Sequence, residues 1–370
     1  MSSTTHPSRL YGLDTLRALA IVLVFMNHYL LFVSEGGAFG FWGEIGWTGV
    51  DLFFALSGYL IGNQIFAALR SEHGFSLSRF YARRFLRTLP NFYVVLALYY
   101  VWPAFRGDSA LLPLWKFLTF TQNINLTPGT AFSHAWSLCV EEQFYVLLPA
   151  VALLIAACRK SLLWAWVAVA ASFAAGMLVR AYLWDEYVQV PRGGMGYYKY
   201  IYYASWCRFD ELVAGVALAL LKNHHPAAWS RITAYGNRSL LAGLAGAALM
   251  LTLFFHHHFD YWVTVLGYPA LAISFSLLLI AAMSPGSALY QWRVPGAASL
   301  ALWSYAIYLL HKQLCILLSP VLQDRGYAPD GLPAVLIMIA VSIVTGWLLY
   351  VLVETPFMRL RTRYFPTNHR

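Results

Sequence analysis

The chain has 370 residues, 60% of them hydrophobic and only 11% charged, where soluble domains carry about 25% charged residues. The apolar residues fall in blocks long enough to cross a bilayer, which excludes a soluble domain with one anchor and makes the lipid bilayer the expected surrounding. The formal charge of +9 does not mark a nucleic-acid binder, because the basic residues form no single tail or face and instead follow membrane topology.

Ten spans are predicted, at 13–33, 47–69, 90–106, 135–157, 161–183, 206–221, 239–257, 260–283, 299–319 and 333–353. Segment 111–120 is too short to cross and is expected to lie in the interface. One set of loops holds Arg9, Arg70, Arg79, Arg83, Arg84, Arg87, Arg159, Lys160, Lys222, Arg231, Arg238, Arg293, Arg359, Arg361, Arg363 and Arg370. The opposite set holds only Arg106, Lys116, Arg192, Lys199 and Arg325. The positive-inside rule then puts both termini in the cytoplasm, and an even number of spans fits that alternation. The expected architecture is an all-α polytopic membrane helix bundle forming a single domain over 1–370. The first apolar run carries Asp14 and Arg17, has no small-residue cleavage site and leads into further spans, so it does not read as a cleaved signal peptide. Cys139, Cys158, Cys207 and Cys315 lack metal-ligand spacing and are expected to be free thiols. His256, His257 and His258 before Asp260 could hold a metal, but a solvated turn is the preferred reading, and no metal site is expected.

Polar residues inside the spans are the functional candidates, since charge is costly in a bilayer. In the first span Arg17 and His28 are eleven residues apart. That spacing returns them to one helix face, roughly 16 Å apart along the axis. Span two begins near Asp51, with Ser57 deeper. A basic stretch precedes span three, and Arg84 and Arg87 there share a helix face at i, i+3. Span four starts with Trp136 and Ser137 and places Glu141 about 9 Å below the outer surface. Span nine carries His311 and Lys312. His28, Asp51, Glu141, His311 and Lys312 fall at similar depth and are expected to face one polar cavity, where a histidine beside a carboxylate can serve as general base for a hydroxyl. The alternative for each is an ion-pair network that only joins helices. Arginine forks suit phosphate oxygens, so Arg17, Arg84, Arg87 and Arg83 point to an anionic ligand, with positive-inside signalling or lipid contact as the alternative. Phosphates at the basic surface and a reactive end near His28 match the shape of acyl-coenzyme A.

Together these residues resemble the acyltransferase-3 family of integral membrane O-acyltransferases over nearly the whole chain. The matching elements are Arg17 and His28 with Asp14, the string from Gly49 to Ile61, Arg84 and Arg87, the string from Trp136 to Tyr145, the string from Ser304 to His311, and Glu354 with Pro356. The resemblance implies transfer of an acyl group, often acetyl, from cytoplasmic acyl-CoA to a hydroxyl. The expected acceptor is a cell-envelope carbohydrate such as lipopolysaccharide O-antigen or exopolysaccharide, in the bacterial inner membrane. It further implies catalytic His28, Glu141, Asp51 and Arg17, with Glu141 and Asp51 orienting or charge-balancing His28. Donor phosphates fall to Arg17, Arg84, Arg87 and Arg83, and substrate contacts to Trp136, Ser137, His311 and Lys312. No permanently bound cofactor is expected; acyl-CoA is a substrate. Lys312 and Gln313 stand where the family often has a proline nearby. No fused hydrolase-like domain is expected, which leaves direct transfer or hand-over to a separate periplasmic acyl-transferring partner. Two other readings fit the residues: acylation of a small natural product such as a macrolide, and secondary transport of an anionic or glycan-linked solute.

Overall fold

The computed structural model describes residues 10–34, 37–71, 74–157, 161–189 and 193–366. Arg9, Cys158, Arg159, Lys160, Arg192 and Arg370, which enter the charge and cysteine readings, lie outside the described residues. Among those described there is no strand. Ten helices of 15 residues or more make the body: α1 (Tyr11–Phe32), α2 (Thr48–Arg70), α3 (Leu77–Val101), α4 (Trp136–Ala157), α5 (Leu162–Tyr187), α6 (Asp210–His224), α7 (Gly236–His257), α8 (Tyr261–Met283), α9 (Ala297–Gln323) and α10 (Leu332–Leu349). A π-turn over Tyr350–Glu354 then leads into a terminal amphipathic helix, α11 (Thr355–Tyr364). Eight helices among the described residues are long and apolar enough to cross a membrane. The chain is a multi-pass membrane protein.

The two that fall short are the two whose predicted bounds need correcting. Predicted span 90–106 is the second half of α3, which starts at Leu77 and takes in Arg79, Arg83, Arg84 and Arg87. Ser76 caps it by accepting from the Arg79 amide, and the helix continues through Pro90. The basic stretch is thus the first turns of the same helix, not a separate loop element. Predicted span 206–221 is α6, only 15 residues long. Its missing length is irregular backbone: a π-turn over Tyr197–Tyr202 and a 3-10 turn over Ser205–Cys207, with Tyr197, Ile201, Tyr202, Ser205 and Cys207 buried. Non-helical backbone at membrane depth is tolerated where protein, not lipid, surrounds it. Segment 111–120 contains only the one-turn helix Leu114–Leu118.

α1 packs against α2, α8 and α9, and α2 against α6, so these helices hold the centre. The α2–α6 crossing is set by glycine. A Cβ on Gly58 would lie 2.0 Å from the Leu212 carbonyl oxygen, and one on Gly215 would lie 2.2 Å from that of Ala55. Only hydrogen at these positions lets the backbones approach so closely. α5 buries only Gly176 and Arg180 and otherwise presents apolar side chains outward, as a lipid-facing helix does. Cys139, Cys207 and Cys315 are buried thiols. Of the histidine run, His256 and His257 are exposed and His257 pairs with Asp260 at 2.8 Å. His258 instead turns inward onto Trp47 and Tyr197.

Candidate active site

Both ends of the described chain lie at one end of the bundle. The Phe365 carbonyl accepts from Arg83, and Arg293 stands over the Tyr11 ring. From this basic end a cavity of about 430 Å³ enters the bundle between α1, α2, α3, α4 and α9. Asp14, Arg17, Gln64 and Arg87 line its outer part, and Ser137, Ser304 and Tyr308 its inner part. The helix positions explain the arrangement. Arg17 lies two turns into α1, Arg87 three turns into α3, and Ser137 is the second residue of α4.

Arg84 lies on the cavity wall and is already engaged. Its Nη2 is 3.9 Å from Glu141 Oε2, its Nε 3.4 Å from Glu142 Oε1, and its guanidinium stacks 3.8 Å from the Tyr145 ring centroid. Arg84, expected among the phosphate-binding arginines, lines the cavity and shares its charge with two carboxylates. Arg83 does not line this cavity and spends a donor on the Phe365 carbonyl. Arg17 and Arg87 do line it, so the positive charge turned towards the space comes from them.

The inner end of the cavity is a hydrogen-bonded partition. The Tyr308 hydroxyl is 2.5 Å from the His134 carbonyl oxygen and 2.7 Å from Ser137 Oγ. A carbonyl only accepts, so Tyr308 donates to it and Ser137 donates to Tyr308. Beyond the partition lie three imidazoles. His28 Nδ1 is 2.7 Å from His311 Nε2, with the rings within 8° of parallel. The His134 ring centroid is 5.8 Å from that of His28, and the Tyr308 centroid is 6.4 Å from it. The order of donors follows from chemistry. His311 Nδ1 is 2.8 Å from the Ile307 carbonyl oxygen, so the neutral ring carries its proton there and offers Nε2 as acceptor. His28 must then donate from Nδ1, which leaves the lone pair on Nε2. A neutral imidazole fixed in one tautomer by its neighbour can accept a proton at the remaining nitrogen, the chemistry a general base needs.

Two carboxylates expected beside His28 are elsewhere. Glu141 is with Arg84 on the cavity wall, and Asp51 is fully buried with Arg208 Nη2 at 2.5 Å from its Oδ1. No hydrogen bond or ion pair joins either to His28 among the described residues. The group bonded to His28 is instead His311, which the sequence reading assigns to substrate. Trp136 is also corrected. It is buried beside the Arg208 guanidinium, 5.2 Å away, and does not line the cavity. Ser137 does line it. Lys312 is buried, donates to Ser133 Oγ at 3.0 Å and lies 4.0 Å from the Phe32 ring centroid. Sequence reasoning misses His134 and Tyr308 as site members, although Tyr308 stands in the string from Ser304 to His311 and His134 is two residues before the one from Trp136. The signal available was their polarity at membrane depth beside residues already singled out.

Residues 10–351 match the family model described as an acyltransferase domain. Peptidoglycan O-acetyltransferase OatA of Listeria monocytogenes is 26% identical, over 97% of this chain and 58% of its own length. A Bacillus subtilis protein with the provisional name peptidoglycan O-acetyltransferase YrhL is 27% identical, over 99% of this chain and 57% of its own. A Komagataeibacter xylinus protein with the provisional name membrane-bound transacylase BcsY is 27% identical, over 94% of this chain and 82% of its own. The chain thus spans little more than half the length of the first two. No solved structure matches the chain significantly. A match over nearly the whole chain, on a helical bundle with these strings in this order, makes the chain a member of the acyltransferase-3 family of membrane proteins.

Proposed function

We propose that this chain moves an acetyl group from cytoplasmic acetyl-CoA to a hydroxyl of a cell-envelope carbohydrate, from a bacterial inner membrane. The observation that carries this reading is the sequence of groups along one path. Arg17 and Arg87 stand at the outer part of the cavity, Ser137 and Tyr308 close its inner end, and the His28–His311 pair lies directly behind. A donor with phosphates at one end and a thioester at the other end of a flexible arm fits that path.

In this reading the acceptor oxygen attacks the thioester carbonyl while His28 Nε2 takes the hydroxyl proton. The tetrahedral intermediate collapses with loss of the coenzyme A thiolate, which receives the proton back from His28. The products are the ester and the free thiol. The His28 imidazolium that forms in between is stabilised by its Nδ1–H bond to His311 Nε2. Two relatives carry peptidoglycan in their names, which supports an envelope glycan as acceptor. O-antigen, exopolysaccharide and peptidoglycan share the hydroxyl chemistry.

The test uses membranes bearing the wild type or His28→Ala, each supplied with acetyl-labelled acetyl-CoA. Label entering the polysaccharide fraction with wild type, and reduced about 10²–10⁴-fold with His28→Ala at equal protein level, is the expected result. Equal labelling by the two proteins would remove His28 from the chemistry. Label in no fraction would remove the donor assignment.

A further inference from the structure

A second cavity, of about 520 Å³, lies beside the first at the basic end. Arg87 lines both. The second is formed where α11 folds back along the first turns of α3 and is lined by Thr355, Arg359, Thr362 and Arg363 on one face of α11. These four recur at i, i+4, i+7 and i+8, the spacing of a single helix stripe. The placement is built. The π-turn over Tyr350–Glu354 redirects the chain out of α10, Asn91 Nδ2 donates to Glu354 Oε2 at 2.9 Å, and Arg83 ties down the far end at Phe365.

The charge of this cavity is one-sided. Arg87, Arg359 and Arg363 line it, and Arg361 and Arg83 stand behind. Glu354 is the one acid among the described lining residues; Asn91 donates to it, and its charge offsets part of that of Arg87 and Arg361, which leaves Arg359 and Arg363 as the uncompensated pair on the lining. The guanidiniums of Arg87, Arg359 and Arg363 around one space offer several donors to an anion with several acceptor oxygens, which is the chemistry of a phosphate monoester, whereas the Thr355 and Thr362 hydroxyls already donate to the Tyr350 and Met358 carbonyls.

We infer that this cavity takes the 3′-phosphate of the nucleotide end of the donor, on Arg359 and Arg363, while Arg17 and Arg87 take the diphosphate. The inference rests on acetyl-CoA being the donor. Its own support is Arg87, which lines both cavities and so lets one ligand span them. Arg84 does not line the second cavity and has Glu141 and Glu142 beside its guanidinium. The terminal helix is then part of the donor site.

The test measures binding of adenosine 3′,5′-bisphosphate and adenosine 5′-monophosphate to the full chain in phosphatidylcholine nanodiscs. Wild type should favour the bisphosphate by about tenfold or more, the worth of a charge-assisted contact. Arg359→Gln/Arg363→Gln should bind both equally, with unchanged affinity for the monophosphate and an unchanged Tm. Arg293→Gln, which removes a charge from the same end but from neither cavity, should keep the preference. Equal binding of the two nucleotides by wild type, or a preference kept by the double variant, overturns the inference. If wild type instead binds phosphatidylglycerol vesicles and the double variant does not, the phosphate belongs to a lipid headgroup and the nucleotide assignment is overturned. Labelled transfer from acetyl-CoA, run on the same preparation, separates the two readings. Transfer without nucleotide discrimination sinks only this inference, and absence of transfer sinks the donor assignment with it.

Discussion

At the scale of single residues, the site depends on which atom of each imidazole carries the proton. In the proposed mechanism His311 acts through His28. Bonded to a backbone carbonyl at Nδ1, it has only an acceptor left to offer, and that acceptor selects the useful tautomer of its partner. His311→Phe keeps the ring volume and removes the acceptor, so His28 can carry its proton on Nε2, where it is useless as a base. The expected result is a loss of about 10²-fold in kcat, with KM for acetyl-CoA unchanged, since partners that orient a catalytic group typically cost 10–100-fold when lost. His311→Gln retains a carbonyl oxygen that can accept from His28 Nδ1 and should recover part of the rate. Equal loss in Phe and Gln variants would show that His311 only fills space. The sequence singled out Arg17, His28 and His311, and the structure sets Arg17 on the cavity wall and His28 against His311. It misplaced Glu141 for a geometric reason. Depth counted from Trp136 assumes that α4 begins at the membrane surface, but Gln122, Asn123 and residues 131–135 before it are already buried. Glu141 therefore lies further from the opposite surface than its position in the helix suggests, and meets Arg84 rather than His28. Azimuth adds a second unknown, because apolar helices buried on several sides carry little moment to orient them.

At the scale of elements, apolar length alone located eight of the helices, because a bilayer demands that length. α3 and α6 resisted for opposite reasons. α3 is longer than its apolar part, since its first turns are arginine-rich, and α6 is shorter than a span because buried irregular turns complete its path. The α2–α6 pair was half legible. Gly58 and Gly62 stand four apart, the spacing of close helix contact. Their partner Gly215 could not be named without the fold. The crossing predicts graded effects. Gly215→Ala, whose Cβ would also meet the Tyr59 amide nitrogen at 2.5 Å, must push two backbones apart. A cost of about 1–3 kcal/mol is expected from overpacking. Gly62→Ala meets the Ala219 methyl at 3.0 Å and the Val216 Cα at 3.3 Å, with no contact under 3.0 Å, and should cost less. Gly194→Ala, with nothing within 4 Å, serves as the control. Thermal melting of the purified proteins in one detergent checks the order. A Gly62→Ala protein less stable than Gly215→Ala would show that the crossing is looser than its geometry.

At the scale of the whole molecule, two polar systems share the bundle and do different work. One is the path from Arg17 and Arg87 to His28. The other is a closed lattice in which Asp51 meets Arg208 and Asp210 meets Arg180, all four nearly or fully buried. Arg208 is also walled by Trp136, Tyr202 and Tyr268, at 5.2, 4.6 and 4.6 Å from its guanidinium carbon. This lattice joins α2 to the segment leading into α6 and to α5, and it lines no part of the described cavity. Its role is then to fix the helices that carry the path, and its energetics should be those of a buried pair. Removing one member strands the other charge without solvent, so Asp51→Asn and Arg208→Gln should each lower stability by roughly 3–5 kcal/mol. Arg208→Gln leaves both Asp51 and the buried Glu211 beside it without their arginine, and the double variant leaves only Glu211, so the double variant should be more stable than Arg208→Gln alone. A catalytic pair would behave differently, because restoring charge balance restores packing but not chemistry. The decisive measurement is therefore a double-mutant cycle read twice, once as Tm and once as kcat of the protein that remains folded. Coupling in Tm with kcat preserved in the double variant is the expected result. A double variant as stable as wild type but inactive would move Asp51 back into the reaction, where the depth argument had first put it.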